Sequence, residues 1–497
     1  MFKWFQKEKI NQRKKKTFQD ILSTFRKSAD FVSFRVSDES PFCFHYLETV
    51  VDERYVHDEA LPYTKRKDIH TLTDLQRVIP LEETKILCKG HLIEEQLLRG
   101  HIMIQKKDEN DKVLSLPAEL IEERAIETPE NEFTVVGPKE AFIESIDVNL
   151  NLIRKRLRTS DLVVEEMKVG RLSKSRVTIL FIEGITNRQL VQTLRQRIQD
   201  VDYDEMVDIS QISQFISDYP NSHIPQLLET ERPERVTSAL AEGKVAFMMD
   251  GSPQTTIGPT NFMEYFSSPD DHYMLWPLGS AFRLIRIVAL LFSVHATSFY
   301  IAVTSYQHEL IPDELLDTLI ASRIEVPYPP IVEVMILELT VELLREAGAR
   351  LPSRIGQTIG IVGGIVIGTA VVEASLASSV LLIMIGITAL ASFTAPIYKM
   401  GNTIRLIRFP FILFAQWFGI FGMAFCSALY LSHLFKLTSL GYPYLAPLYP
   451  LRVKDLRDVI IKMPIQKQQK RPTVLRPQKR KRFDVKQRKT IPKDIEE

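Results

Sequence analysis

Apolar and polar positions divide the chain into unlike parts: residues 1–280 mix charged and apolar positions, 281–450 are dominated by long apolar runs, and 452–497 are strongly polar. A membrane-spanning helix needs about 20 mostly apolar residues. Ile287–Tyr306 meets that length with one polar ring, His295, which the reading assigns to hydrogen bonding across helices. Ile355–Tyr398 is about twice as long, and its centre, "EASLASS" at 373–379, is small and polar enough for a turn, which predicts spans near 356–373 and 379–397. Phe409–Leu431 supplies a further run, so the pattern predicts about four spans. Between them, residues 329–348 read as a helix with prolines at its entrance and Gly348 at its exit. Glu338, Glu342, Arg345 and Glu346 share one face of that helix, while Glu333 falls toward the apolar side and would need a partner if embedded. Two readings stand for this helix: an amphipathic or re-entrant element with its acids in water, or an acidic lining for a cation pathway.

Upstream, residues 1–80 are charged and irregular and are expected to be partly disordered. From 139 onward the pattern sharpens into helix (139–157), strands (162–169 and 176–184), a helix opened by Asn187, a short helix ending at Gly243, and the strand "KVAFMMDG". Alternating strands and helices predict an α/β domain over 81–280, as one unit or two subdomains, with at least part of a parallel sheet. The whole reads as a multi-domain membrane protein: this α/β region, a helical membrane domain at 281–450, and a basic, largely disordered tail at 451–497.

"GQTIGIVGGIVIG" (356–368) carries Gly356, Gly360, Gly364 and Gly368 at steps of four, with Gly363 added. A phosphate-binding loop needs other spacings and a following Lys-Ser or Lys-Thr, absent here. Steps of four put these glycines on one side of a helix, where in lipid they form a smooth strip that lets a neighbouring helix approach closely. Glu373, at the end of that helix, joins Glu333, Glu338, Glu342 and Glu346 as a candidate lining for an ion pathway.

Net charge of +1 and mean hydropathy of −0.04 resemble an ordinary soluble protein only because unlike parts average out. The tail after 451 holds 16 Lys/Arg against 6 Asp/Glu; beside a membrane domain it suits anionic lipid or solvent rather than nucleic acid. Arg283 and Arg286 before the first run, and the basic tail, place the N-terminal domain and the C-terminus in the cytoplasm. Lys399, Arg405 and Arg408 resist this scheme, since four spans put them outside. Cys43, Cys88 and Cys426 are too scattered for a zinc site or a disulfide framework. No hydrolase, metalloprotease or nucleotide-binding motif occurs, so the reading assigns no catalytic residue, metal or cofactor.

Several stretches in unbroken order, among them "ILFIEGIT" (179–186), "RPERVTSALAEGKVAFMMDGSP" (232–253), "FYIAVTSYQHELIPDELL" (299–316), "VPYPPIVE" (326–333), "QTIGIVGGIVIGTAVVEASLAS" (357–378) and "SLGYPYLAPL" (439–448), give the chain a close resemblance to the A subunit of GerA-type spore-germination receptors. Tyr328 stands where that family often has phenylalanine. The resemblance implies a multi-pass protein of the spore inner membrane that acts with a transporter-like B subunit and a lipoprotein C subunit. It further implies assembly into a homo-oligomer and an ion-conducting path opened by nutrients. A non-conducting scaffold that docks the other two subunits is the alternative.

Overall fold

The computed structural model describes residues 17–483, apart from 37–39, 67–68, 82, 108, 110–111, 121–131, 133–135, 351–352, 454, 457–458 and 460, and the side chains of 353–362 and 465. The N-terminal half contains two antiparallel sheets. The first has the order β1 (Phe31–Arg35), β2 (Phe42–Leu47), β4 (His101–Lys106), β5 (Val113–Pro117), β3 (Lys85–Leu87). Helix α1 (Phe18–Phe25) opens with a capping box in which Thr17 and Asp20 satisfy each other's backbone N–H. Its Phe18, Ile21, Leu22 and Phe25 pack with Leu47 and Val50, while α2 (Leu72–Val78) and α3 (Gly90–Leu98) cover the same sheet from their buried faces. The region expected to be irregular and partly disordered up to residue 80 therefore contributes two paired strands and two capped helices. Phe18, Ile21, Leu22 and Phe25 fall at helical spacing and 42–47 is a mostly apolar run, so the signal lay between charged stretches, and Phe42, Phe44 and Leu47 are fully buried.

The second sheet runs β6 (Leu162–Val169), β7 (Ser175–Ile182), β9 (Val245–Met249), β10 (Thr255–Gly258), β8 (Leu228–Thr230). Helices α4 (Ile146–Arg156), α5 (Arg188–Gln199), α6 (Ile209–Ile216) and α7 (Pro233–Glu242) pack into its core. Asn187 caps α5, and Gly243 ends α7 at φ +101°, where the sequence placed them. The parallel pairing does not occur: every pairing described in both sheets is antiparallel. The links from β6 to β7 and from β9 to β10 are short turns, and a parallel crossover needs a dozen residues or more. The two sheets are joined through Ala29 N–H donating to Val164 O at 2.8 Å and through a buried cluster in which Arg154 grips Asp30 at 2.8 and 3.0 Å.

The C-terminal half is helical: α8 (Trp276–Ser305), α9 (Asp313–Arg323), α10 (Pro330–Arg350), α11 (Ser353–Glu373), α12 (Ser379–Ser392) and α13 (Tyr398–Lys436). Among the described residues, α8 and α13 are the two helices long and apolar enough to cross a membrane by length and composition. The turn expected at 373–379 separates α11 from α12, and Ser378 caps the latter through Leu381 N–H at 3.3 Å.

The single span expected over Phe409–Leu431 is broken. At Gly419 the backbone turns to φ +57°, ψ −138°, and the two halves of α13 fold against each other. Phe411 stacks on Tyr430 at 5.8 Å and Phe414 meets Phe425 at 5.7 Å. In a straight helix the first pair would stand about 28 Å apart. The halves 398–418 and 420–436 are thus antiparallel legs, and the tip lies beside Gln307 at the far end of α8. Both roots return to the second sheet: Ile397, Met400, Ile404 and Leu437 belong to its core. Lys399, Arg405 and Arg408 consequently lie toward the N-terminal module, which removes the conflict that a single crossing created.

The tail also departs from expectation. Residues 462–482 double back over the second sheet's module. Arg471 donates to Ala241 O at 2.7 Å, Gln478 N–H to Ile185 O at 2.9 Å, and Arg482 to Glu242 at 2.6 Å. Backbone carbonyls and a carboxylate supply the partners that a basic stretch would otherwise seek in solvent or lipid.

Candidate functional site: an acid–arginine ladder in the helical bundle

The α10 helix carries the candidate acids into the bundle at steps that place them at successive depths. Glu333, in its first turn, is fully buried. The partner it requires is Arg323, at the end of α9, whose Nη2 lies 2.9 Å from it; its other oxygen accepts from Ser378 N–H at 3.2 Å. Ser378 in turn meets the Tyr300 hydroxyl of α8 at 3.2 Å. One carboxylate therefore ties α9, α10, α12 and, through Ser378, α8 together.

One and a half turns on, Glu338 is 1% exposed and receives Arg408 Nη1 at 2.6 Å, while Arg408 Nη2 donates to Ser293 Oγ of α8 at 2.7 Å. An ion pair stripped of water needs its remaining groups satisfied. Thr297 of α8 stands against the same Glu338 carboxylate, so α8 meets both members of the pair. Toward the module, Glu342 closes on Arg345 and stands 3.9 Å from Arg405 Nε. Glu346 pairs with Arg350 at the exposed end of α10.

Each of the four α10 acids thus faces an arginine. Spacing alone grouped Glu338, Glu342 and Glu346 and set Glu333 apart; the structure joins them in one ladder, with Arg323 and Arg408 from other helices on Glu333 and Glu338 and Arg345 and Arg350 of α10 itself on Glu342 and Glu346. Arg405 and Arg408 were visible only as an orientation problem, and nothing in the local pattern links them to residues some 60–70 positions earlier. Glu373 differs: it is exposed at the end of α11 and makes no ion pair among the described residues. His295 Nδ1 donates to Leu291 O at 2.9 Å and the ring packs edge-on against Phe411 at 4.9 Å, a cross-helix packing role.

The glycines of the strip whose surroundings are described do not all face one way. A Cβ at Gly363 would come within 3.3 Å of Leu344 of α10, and one at Gly368 within 3.7 Å of Leu382 of α12. Gly364 has nothing within 4 Å, and its neighbours Ile365 and Val366 are 63% and 56% exposed. Gly356 and Gly360 are in α11, but their surroundings lie outside the described residues. Two glycines therefore admit neighbours within the chain, and Gly364 faces outward.

The bundle is fastened to the module at several points. At the α8 root, Asp271 pairs with Arg283 and Arg286. At the hairpin roots, Lys399 pairs with Glu229, Thr403 donates to His223 O at 2.8 Å, and His433 Nε2 meets Ser222 Oγ at 3.0 Å. His223 and His433 stack at 6.0 Å, and burial followed by the neighbouring His433 holds His223 below the usual histidine range.

This ladder, glycine face and two-sheet module occur in a chain that matches, over residues 18–474, the family described as Bacillus/Clostridium GerA spore germination protein. Spore germination protein GerQA of Bacillus cereus is 46% identical over 477 residues, covering 96% of both chains. Spore germination protein GerIA of Bacillus cereus is 40% identical over 464 residues, covering 93% of this chain and 70% of that one. Among solved structures, the N-terminal domain of the A subunit of the Bacillus megaterium spore germinant receptor GerK3 is 26% identical, covering 49% of this chain and 92% of that one at a TM-score of 0.37. With nearly its whole length matched and relatives of this identity and coverage, the chain belongs to the GerA family of spore germination proteins.

Proposed function

We propose that this chain is the membrane-embedded A subunit of a nutrient germinant receptor of the spore inner membrane, assembling with copies of itself into a gated cation path. It works beside a transporter-like B subunit and a lipoprotein C subunit, and none of its residues is catalytic. In this reading α8, α10, α11, α12 and both legs of α13 cross or enter the bilayer, and an even number of passes leaves the two-sheet module and the tail together in the cytoplasm.

The observation that carries the proposal is the outward face of α11, where Gly364 is uncovered beside exposed Ile365 and Val366. Such a face lets helices of neighbouring subunits approach closely. Inside one subunit the buried acids are neutralised by arginines, so the path runs along the seam between copies. Glu373 and Glu346 stand near opposite ends of the α10–α11 pair and supply acid at its mouths, where carboxylate rings favour cations. Glu333, Glu338 and Glu342 set the helix positions that open or close it. Nutrient binding shifts the population only through contacts that differ between the two arrangements.

Gly364→Leu is expected to abolish assembly in detergent or nanodiscs and to block germination; a variant that assembles and germinates normally refutes the seam. Glu373→Gln is expected to lower cation conductance severalfold with assembly intact. The neutralised ladder also suits a non-conducting scaffold that docks the B and C subunits. Absence of conductance in planar bilayers, with the chain alone and with both partners, decides for that reading.

A further inference from the structure

Helix α8 is longer than the hydrocarbon layer it would cross. Its 30 residues reach about 45 Å at 1.5 Å per residue, against about 30 Å for the hydrocarbon and about 40–45 Å with both headgroup layers included. The surplus lies at its N-terminal root, alongside the two-sheet module. The inner face of that root is engaged there: Gly279, Ser280 and Arg283 are buried, Lys462 N–H donates to Ser280 Oγ at 3.0 Å, and Arg286 pairs with Asp271.

The outer face is bare and apolar. Leu278, Phe282 and Ile285 are 53%, 47% and 58% exposed. From Leu278, at steps of three and four, the stripe continues without a polar break through Val288 to Phe292, also exposed, so one continuous surface serves both the root and the start of the membrane-crossing part. Exposed aromatic residues mark both ends of the bundle. Trp276, Tyr398 and the contacting pair Phe435 and Tyr449 stand on the module side; Tyr306, Trp417 and Phe418 stand at the far end. Tryptophan and tyrosine collect at the two membrane–water boundaries because their rings suit a layer that is apolar on one side and wet on the other. The arginines of the root are turned inward onto Asp271, so no charge stands on the outer stripe.

We propose that the α8 root is a seat in the lipid headgroup layer: the stripe from Leu278 to Ile285 lies in the phospholipid interface of the cytoplasmic leaflet and holds the two-sheet module flush against it. The occupant is lipid, because the stripe is an uninterrupted extension of the surface that faces lipid higher up. The proposal rests on the membrane reading above, and its test separates the two.

The chain carries three tryptophans, so Phe282→Trp with Trp4→Phe, Trp276→Phe and Trp417→Phe leaves one reporter on the stripe, and Trp4→Phe with Trp276→Phe leaves Trp417. Each full-length variant is placed alone in nanodiscs of phosphatidylcholine and phosphatidylglycerol. Emission from the position 282 reporter is expected to be blue-shifted from that of the unfolded chain, quenched more by a headgroup nitroxide than by a mid-chain one, and little reached by iodide. Leu278→Glu is expected to raise iodide quenching of that reporter severalfold and to leave Trp417 emission unchanged. Free access of iodide to the position 282 reporter while Trp417 stays protected overturns the seat and leaves the membrane reading intact. Iodide access to both overturns both.

Discussion

At the scale of single residues, the charges that matter most are the buried ones, because each depends on a specific opposite charge. Asp30 and Arg154 are each about 1% exposed at the side chain, and Ser28 and Thr49 complete the carboxylate's partners at 2.6 and 2.9 Å. Burial alone would raise the Asp30 pKa, but Arg154 and these hydroxyls outweigh it and hold the carboxyl below its ordinary value. Removing one member of such a pair costs about 3–5 kcal/mol. Asp30→Asn is therefore expected to lower stability by about that amount in a denaturant titration. His45 gives the pH dependence. Burial drives its pKa down to about 4, so the fold favours the neutral ring. Because the native value lies below the unfolded one, the stabilisation is present above about pH 6.5 and is lost as pH falls toward 4. His45→Gln is expected to flatten the stability curve between those limits, measured by thermal unfolding across pH. In the bundle, Arg408→Ala is expected to destabilise by about 3–5 kcal/mol, whereas Arg408→Leu with Glu338→Leu loses less because no charge is left unpaired. The acids of this ladder were legible in the sequence by their spacing on one helix. Arg323, Arg405 and Arg408 were not, since spacing reports only neighbours on the same element, as it does for Arg345 and Arg350.

At the scale of elements, composition identified the apolar runs and the turn at 373–379, and caps located several helix ends. Direction was harder to read. "FPFILFAQWFGIFGMAFCSALYL" is apolar throughout, and a reversal buried among apolar residues leaves the composition unchanged. Its mark is the pair Gly419 and Gly422: a Cβ at the first would stand 2.6 Å from Gln307 Oε1, and one at the second would collide with the Phe414 carbonyl. Gly422→Val is expected to prevent the legs from closing, seen as loss of disulfide trapping between cysteines placed at Phe411 and Tyr430. In the intact protein, single cysteines at Asn402 and Ser432 are expected to label from the module's side of the membrane and one at Phe418 from the opposite side. Labelling of 402 and 432 from different sides would show a single crossing. The parallel sheet was misread for a related reason: alternation of strands and helices records order along the chain, while short β6–β7 and β9–β10 turns decide direction in space.

At the scale of the whole molecule, the boundaries near residues 80 and 451 do not behave as linkers. The first eighty residues share a sheet with the next forty, and the described part of the tail lies back on the module. Sequence reading treats a charged stretch as solvated until partners are known, and here Glu242 and the carbonyls of Ala241 and Ile185 are those partners. The module holds the bundle by three roots: the start of α8 and both ends of the α13 hairpin. Three fixed points define a plane. A rocking of that plane must therefore swing all three rods together, and Arg408, which bridges two of them to α10, would carry the tilt into the acid ladder without any rod bending.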